Sequence, residues 1–114
     1  MYKRQPIDAL ADFQHSLAFQ PDSREVLRET AEVYRQLDRP KRALATLAIL
    51  EETYGPNQVP ADVLALEGLA QESLGRRVDA VESYREALSK GDAPPETRDR
   101  LAALQSEESA TTLR

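Results

Sequence analysis

The stretch Leu74-Gly75-Arg76-Arg77-Val78-Asp79-Ala80-Val81-Glu82-Ser83-Tyr84-Arg85-Glu86-Ala87-Leu88 carries the pattern from which the fold follows. Ala80, Tyr84 and the pair Ala87-Leu88 fall at three- and four-residue spacing, which stacks a small residue and a large ring on one helical face. Gly75 marks where a preceding helix ends, and Gly91 closes this one. The pattern recurs upstream. Arg42-Ala43-Leu44-Ala45-Thr46-Leu47 lies 37 residues before Asp79-Ala80-Val81-Glu82-Ser83-Tyr84, and Asp8-Ala9-Leu10-Ala11-Asp12-Phe13 lies 34 residues further back. Each copy sets an Ala four residues ahead of a large apolar or aromatic side chain. The three extra residues of the longer interval fall in Tyr54-Gly55-Pro56-Asn57-Gln58-Val59-Pro60, a loop able to absorb them.

Helix punctuation agrees with this period. Pro6 opens a helix that runs to about Gln20 and is stopped by Pro21. Asp22 caps the next, with Glu25 at the capping-box position, and it continues to about Leu37. Pro40 sits in the first turn of a third helix that ends near Tyr54-Gly55. A fourth opens at Pro60 and closes at Gly75 as a left-handed cap; a fifth spans about Arg76 to Lys90. The sixth begins near Pro94-Pro95-Glu96 and ends around Ser106, leaving 107–114 as a disordered tail. Six helices of about 13 to 16 residues joined by short turns predict an all-α stack of antiparallel helix pairs over residues 6–106.

This arrangement resembles the tetratricopeptide repeat (TPR) family of α-solenoids. The best copy runs from Ala61 to Pro94, where Leu64, Gly68, Gly75, Ala80, Tyr84, Ala87 and Leu88 match family positions. A second, from Arg24 to about Asn57, matches at Leu27, Ala31, Tyr34, Ala43, Leu47 and Leu50. Half repeats flank the two: Ala9, Phe13, Leu17 and Pro21 before them, Leu101 and Ala102 after. The chain departs from the pattern at Thr30, Glu51, Glu67 and Gln71, which stand where apolar or aromatic residues are usual. The resemblance implies a non-enzymatic scaffold that binds a peptide or partner protein in a concave groove lined by first helices. Its groove positions correspond to Glu25, Arg28, Glu29, Glu32, Arg35 and Gln36, then to Asp62, Ala65, Leu66, Leu69, Glu72 and Ser73. One half is charged and the other partly apolar, which fits a basic or zwitterionic stretch beside a small apolar anchor. One subtype of the family grips a ligand's terminal carboxylate with Lys and Asn. Here Arg28, Glu32, Ala65 and Leu69 stand at those positions, and three of the four offer neither cation nor amide.

Composition narrows the remaining classes. Apolar residues make up 40% of the 114, aromatics 5%, and the formal net charge is -5. A nucleic-acid binder needs cations to displace phosphate counterions, so the acidic balance opposes that partner. No run approaches the roughly 20 apolar residues of a membrane span, and a membrane partner is not expected. With no cysteine, a disulfide framework and a thiolate metal site are both excluded. Arg outnumbers Lys twelve to three, which together with abundant Ala and Leu points to a GC-rich bacterial genome.

Nothing in the spacing supplies catalysis, a cofactor or a metal site. The single histidine, His15, has no nucleophile or further ligand beside it and reads as a partly exposed helical residue. Glu51-Glu52 and Glu107-Glu108 are adjacent on a helix and do not converge on one point. Arg76-Arg77 reads as a turn. Met1-Tyr2-Lys3-Arg4-Gln5 matches the translation of GTG-TAT-AAG-AGA-CAG, the end of a sequencing adapter, so the frame is expected to be truncated upstream. Two other roles remain: an accessory array of a larger enzyme, which truncation would favour, or an assembly element self-associating through Ala9, Phe13 and Leu17, the apolar face left by a half repeat without its first helix.

We predict that Ala43→Glu or Ala80→Glu abolishes the cooperative helical melt, since each overfills a close contact and buries an unpaired charge. Circular dichroism of both variants checks this; an unchanged melting curve removes the packing assignment.

Overall fold

The computed structural model describes residues 23–112, with side chains through Glu107. The expected helix from Pro6 to Gln20, with Ala9, Phe13, His15 and Leu17, lies outside the described residues. So do residues 1–5, Asp22 and the last two residues. The described chain is all-helical: α1 (Arg24–Gln36), α2 (Pro40–Glu52), α3 (Ala61–Ser73), α4 (Arg77–Ser89) and α5 (Glu96–Thr112). It forms two compact units, the first ending at Gln58 and the second starting at Val59.

In the first unit α1 packs on α2. Ser23, one residue beyond the expected Asp22, is the N-cap of α1, its Oγ accepting from the Val26 N–H at 3.4 Å. Pro40 occupies the first position of α2, where its missing N–H costs nothing. The turn between the helices is tight because Asp38 adopts φ 58°. The Arg39 N–H then reaches back to the Tyr34 carbonyl at 2.8 Å and the Asp38 N–H to Arg35 at 3.0 Å. Those two bonds define a Schellman motif, the usual way to reverse a chain after a helix. Ala31, Ala43, Leu47 and Leu50 are fully buried between the helices. Arg24 closes the open end. Its Nε donates to Thr53 Oγ1 at 3.0 Å, a terminal N–H reaches the Thr53 carbonyl, and the guanidinium lies 4.0 Å over the Tyr54 ring. The start of α1 is thereby tied to the end of α2, so the pair is antiparallel.

The second unit repeats this construction 37 residues later and adds α5. Gly75, at φ 74°, stands where Asp38 stands. The Arg76 N–H bonds to the Gln71 carbonyl and the Gly75 N–H to Glu72, both at 2.9 Å. Late α3 meets early α4 through Ser83 and Gln71, while Ala61, Leu64 and Ala65 of early α3 cluster with Ala87. Ala80, Val81 and Tyr84 of α4 form a second cluster with Leu104 of α5, flanked by Leu69 and Leu101.

Helix α3 leaves no room for a side chain against α4 at Gly68. A Cβ there would fall 2.5 Å from Cε1 and 2.7 Å from Cδ1 of Tyr84. The first unit carries Ala31 and Leu47 at the equivalent places: a larger small residue facing a smaller large one. The smaller partner is larger and the larger one smaller in the first unit, and both are buried there.

Four buried polar side chains, Thr30, Thr46, Gln71 and Ser83, make hydrogen bonds within the protein. Thr30 Oγ1 donates to the Val26 carbonyl at 2.7 Å, and Thr46 Oγ1 to Arg42 at 2.9 Å. In the second unit Ser83 Oγ donates to Gln71 Oε1 at 2.7 Å, and Gln71 Nε2 to Glu67 Oε1 at 3.2 Å. A buried hydroxyl or amide with a partner costs little, whereas an orphan costs about 1–3 kcal/mol.

One boundary differs from the sequence reading. Helix α5 continues to Thr112 instead of ending around Ser106. Ser106 to Ala110 contain neither Gly nor Pro to stop a helix, and Arg77 holds Glu107 at 3.4 Å.

We predict that Gly68→Ala destabilises the protein by about 1–3 kcal/mol despite the better helix propensity of Ala, because the Tyr84 ring has to give way. Combining it with Tyr84→Leu, which recreates the Ala–Leu pairing of the first unit, should recover part of the loss. Urea titration of the four proteins in a double-mutant cycle checks the coupling; strict additivity would falsify the contact.

Candidate binding surface

The twelve positions assigned to a groove fall into two sets with different fates. On α1, Glu25, Arg28 and Gln36 are exposed, and Glu29, Glu32 and Arg35 are partly exposed. They lie at three- and four-residue spacing along one side of an amphipathic helix whose other side buries Leu27, Thr30, Ala31 and Val33. Glu32 takes a forked bond from Arg35 at 2.6 and 3.2 Å and a further one from Gln36 Nε2 at 3.4 Å. Such an exposed pair contributes only about 0.3–0.5 kcal/mol. Its effect is to fix the geometry of the carboxylate. Glu25 and Arg28 present opposite charges one turn earlier.

On α3 the outcome is different. Ala65 and Leu66 are buried, at 5% and 7% exposure. Ala65 is committed to the cluster with Ala61, Leu64 and Ala87, and Leu69 packs against the Tyr84 cluster. Ala65 and Leu66, expected at the surface from the sequence, are therefore core, while Leu69 is half-buried. The reason lies in composition: Ala61, Val63, Leu64, Ala65, Leu66 and Ala70 surround α3 with apolar side chains, the mark of an enclosed helix. Asp62 and Ser73 remain exposed. Asp62 Oδ1 accepts from the Val63 N–H at 3.0 Å in the first turn, and Ser73 Oγ donates to the Leu69 carbonyl at 3.2 Å.

Glu72 has an intramolecular partner. Only 12% of its side chain is exposed, and Arg100 of α5 grips both carboxylate oxygens, one through Nε at 3.2 Å. Together with Gly75, Arg77, Ala103, Leu104 and Glu107, this pair lines a cleft of about 200 Å³ within the second unit. Sequence spacing does not reveal Arg100 as a partner of Glu72, because the two lie 28 residues apart on different helices. Arg77, read as a turn residue, is the first residue of α4 and pairs with Glu107.

Behind this cleft lies the Tyr84 ring, 1% exposed. Burial, reinforced by the Glu72 carboxylate, pushes the Tyr84 hydroxyl well above the ordinary tyrosine range. The Arg100 guanidinium is held more firmly protonated by the same carboxylate.

Among the described residues no group of His, Cys, Asp and Glu is placed to hold a metal ion. No described helix is long and apolar enough to cross a membrane. No protein-family model matches the chain, and no curated protein matches it either.

The raised Tyr84 hydroxyl makes stability pH-dependent in a definite direction. The folded state holds the proton that the unfolded chain releases near pH 10, so its stabilisation is intact below about pH 10 and lost as pH rises further. We predict a steeper alkaline fall in melting temperature for the native sequence than for Tyr84→Phe. Parallel slopes above pH 10 would sink the assignment.

Proposed function

We propose that the chain is a tetratricopeptide-type scaffold that binds a peptide or partner protein along the first helices of its repeats. The observation that carries this reading is the correspondence of the turn, of the small and large buried positions and of the buried hydroxyls Thr46 and Ser83 between two helix pairs set 37 residues apart. Repetition of one helix-turn-helix unit favours stacking over chemistry, and the exposed faces of such units are where partners dock. The exposed face of α1 is the best-formed of these. It offers Glu25, Arg28, Glu29, Glu32, Arg35 and Gln36 in a row of mixed charge, with an acidic excess, so the partner it suits carries basic residues spaced along a helix or an extended strand.

Depleting that row of its charge is the direct test. Peptides are selected from a displayed random library against the intact chain, and binding is measured by fluorescence anisotropy. The reading predicts peptides rich in Lys and Arg, weakened at least about tenfold by Glu25→Lys with Glu29→Lys, and weakened by added salt. Because Glu25 is exposed and Glu29 partly so, the melting temperature should stay within about 2 °C of the parent. Selected peptides that ignore both substitutions would move the binding surface elsewhere.

A further inference from the structure

The outer face of α2 carries a stripe that its counterpart in the second unit lacks. Lys41, Ala45, Ala48 and Glu52 follow one another at intervals of four, three and four residues, and so line one side of the helix. Arg42 and Ile49 run along its edge. All six are exposed, Ile49 to 52%. The same positions 37 residues later, on α4, hold Val78, Glu82, Arg85 and Ser89, edged by Asp79 and Glu86. Apart from Val78 that face is polar. An apolar centre is therefore no requirement of the helix-pair architecture, and its presence on α2 calls for another cause.

Charge on α2 is also placed against the helix dipole. A helix favours anions at its N-terminus and cations at its C-terminus. Helix α2 has no acidic residue in its first turn and no basic residue in its last. Lys41 and Arg42 stand at the positive end and Glu51 and Glu52 at the negative end. Among the described residues no ion pair engages Lys41, Arg42 or Glu52. Such a helix is disfavoured alone, yet it is complementary in charge to an antiparallel copy of itself.

We propose that α2 is a homodimerisation helix, pairing antiparallel with α2 of a second copy of this chain. A two-fold axis near residues 46 and 47 sets Lys41 and Arg42 of one copy beside Glu52 of the other, twice over. Ala45 and Ala48 lie at the centre, where two small side chains three residues apart let the helix axes approach to about 8 Å. Ile49 of each copy then covers Ala45 of the other. Lys41 and Glu52 are separated by about 16 Å of helix rise, so both charged ends close in the same register as the alanines. One pair of short helices covers less than the roughly 1,600 Å² of a standard interface, and the association is accordingly weak and reversible.

Sedimentation equilibrium of the whole chain, from about 10 μM to about 1 mM, tests this. The expected result is a rise from monomer to dimer mass that shrinks with added salt. Ala45→Arg should weaken the dimer by about a hundredfold or more while leaving the melting temperature of dilute protein unchanged, because the site is exposed in the monomer. Glu52→Lys alone, and Lys41→Glu with Arg42→Glu, should each lose self-association at least tenfold, yet an equimolar mixture of the two should form a heterodimer. A chain that stays monomeric throughout overturns the proposal. So does a dimer indifferent to Ala45→Arg, which places the contact on another surface, or a mixture that fails to associate.

Discussion

The close approach of α3 to α4 at Gly68 is the constraint on which the second unit depends. Without a side chain at that point, the Tyr84 ring lies almost against helix backbone, and its 1% exposure follows. The ring in turn is the floor on which Val81, Leu104 and α5 rest. A glycine inside a helix sacrifices roughly 1 kcal/mol of propensity relative to alanine, and the buried ring more than offsets that. The first unit solves the same geometry with Ala31 and Leu47. Exchanged side-chain size at matching positions, with the same turn between the helices, is what makes the two pairs equivalent despite little identity between them.

Fixing the helix spacing also decides where polar groups can go. Thr30, Thr46, Gln71 and Ser83 are buried by position, and each is supplied with a partner, either a carbonyl one turn earlier or a side chain across the interface. Glu72 is drawn in by Arg100 in the same way. Charge is left at the surface on α1, on the outer sides of α2 and α4, and along α5, where Glu96, Arg98 and Asp99 are exposed. Charged recognition has those faces to work with, whereas Glu72 is held by Arg100 within the second unit.

Much of this fold is legible in the sequence because small residues, large residues and turn formers are locally spaced. Ala43 with Leu47 and Ala80 with Tyr84 announce the buried faces, Pro40 and Pro60 the helix starts, and Gly75 and Gly91 the left-handed exits. Asp38 is harder to read, since it makes the same turn as Gly75 without the residue that usually signals it. Side-chain fate is less legible than helix position. Their place in a repeat puts Ala65 and Leu66 at a surface, yet α3 is apolar on most of its circumference and exposes only its polar residues such as Asp62 and Ser73. Glu72 reads as a solvated charge until α5 is folded beside it. The extension of α5 to Thr112 shows the converse: a polar stretch lacking Gly and Pro continues a helix that hydrophobic periodicity alone would end.

The Arg24 clasp bears on how the protein emerges during synthesis. It joins residues 29 apart, and the Glu72–Arg100 clamp spans 28, so the fastenings of each unit close over short loops at modest entropic cost. Once Tyr54 has left the ribosome, α1, α2 and their clasp are all present, while α3 to α5 have yet to emerge. Folding can then proceed pair by pair in the order of synthesis. Local closure of this kind favours fast folding and shortens the time for which the apolar sides of α1 and α2 face the cytosol or a chaperone uncovered.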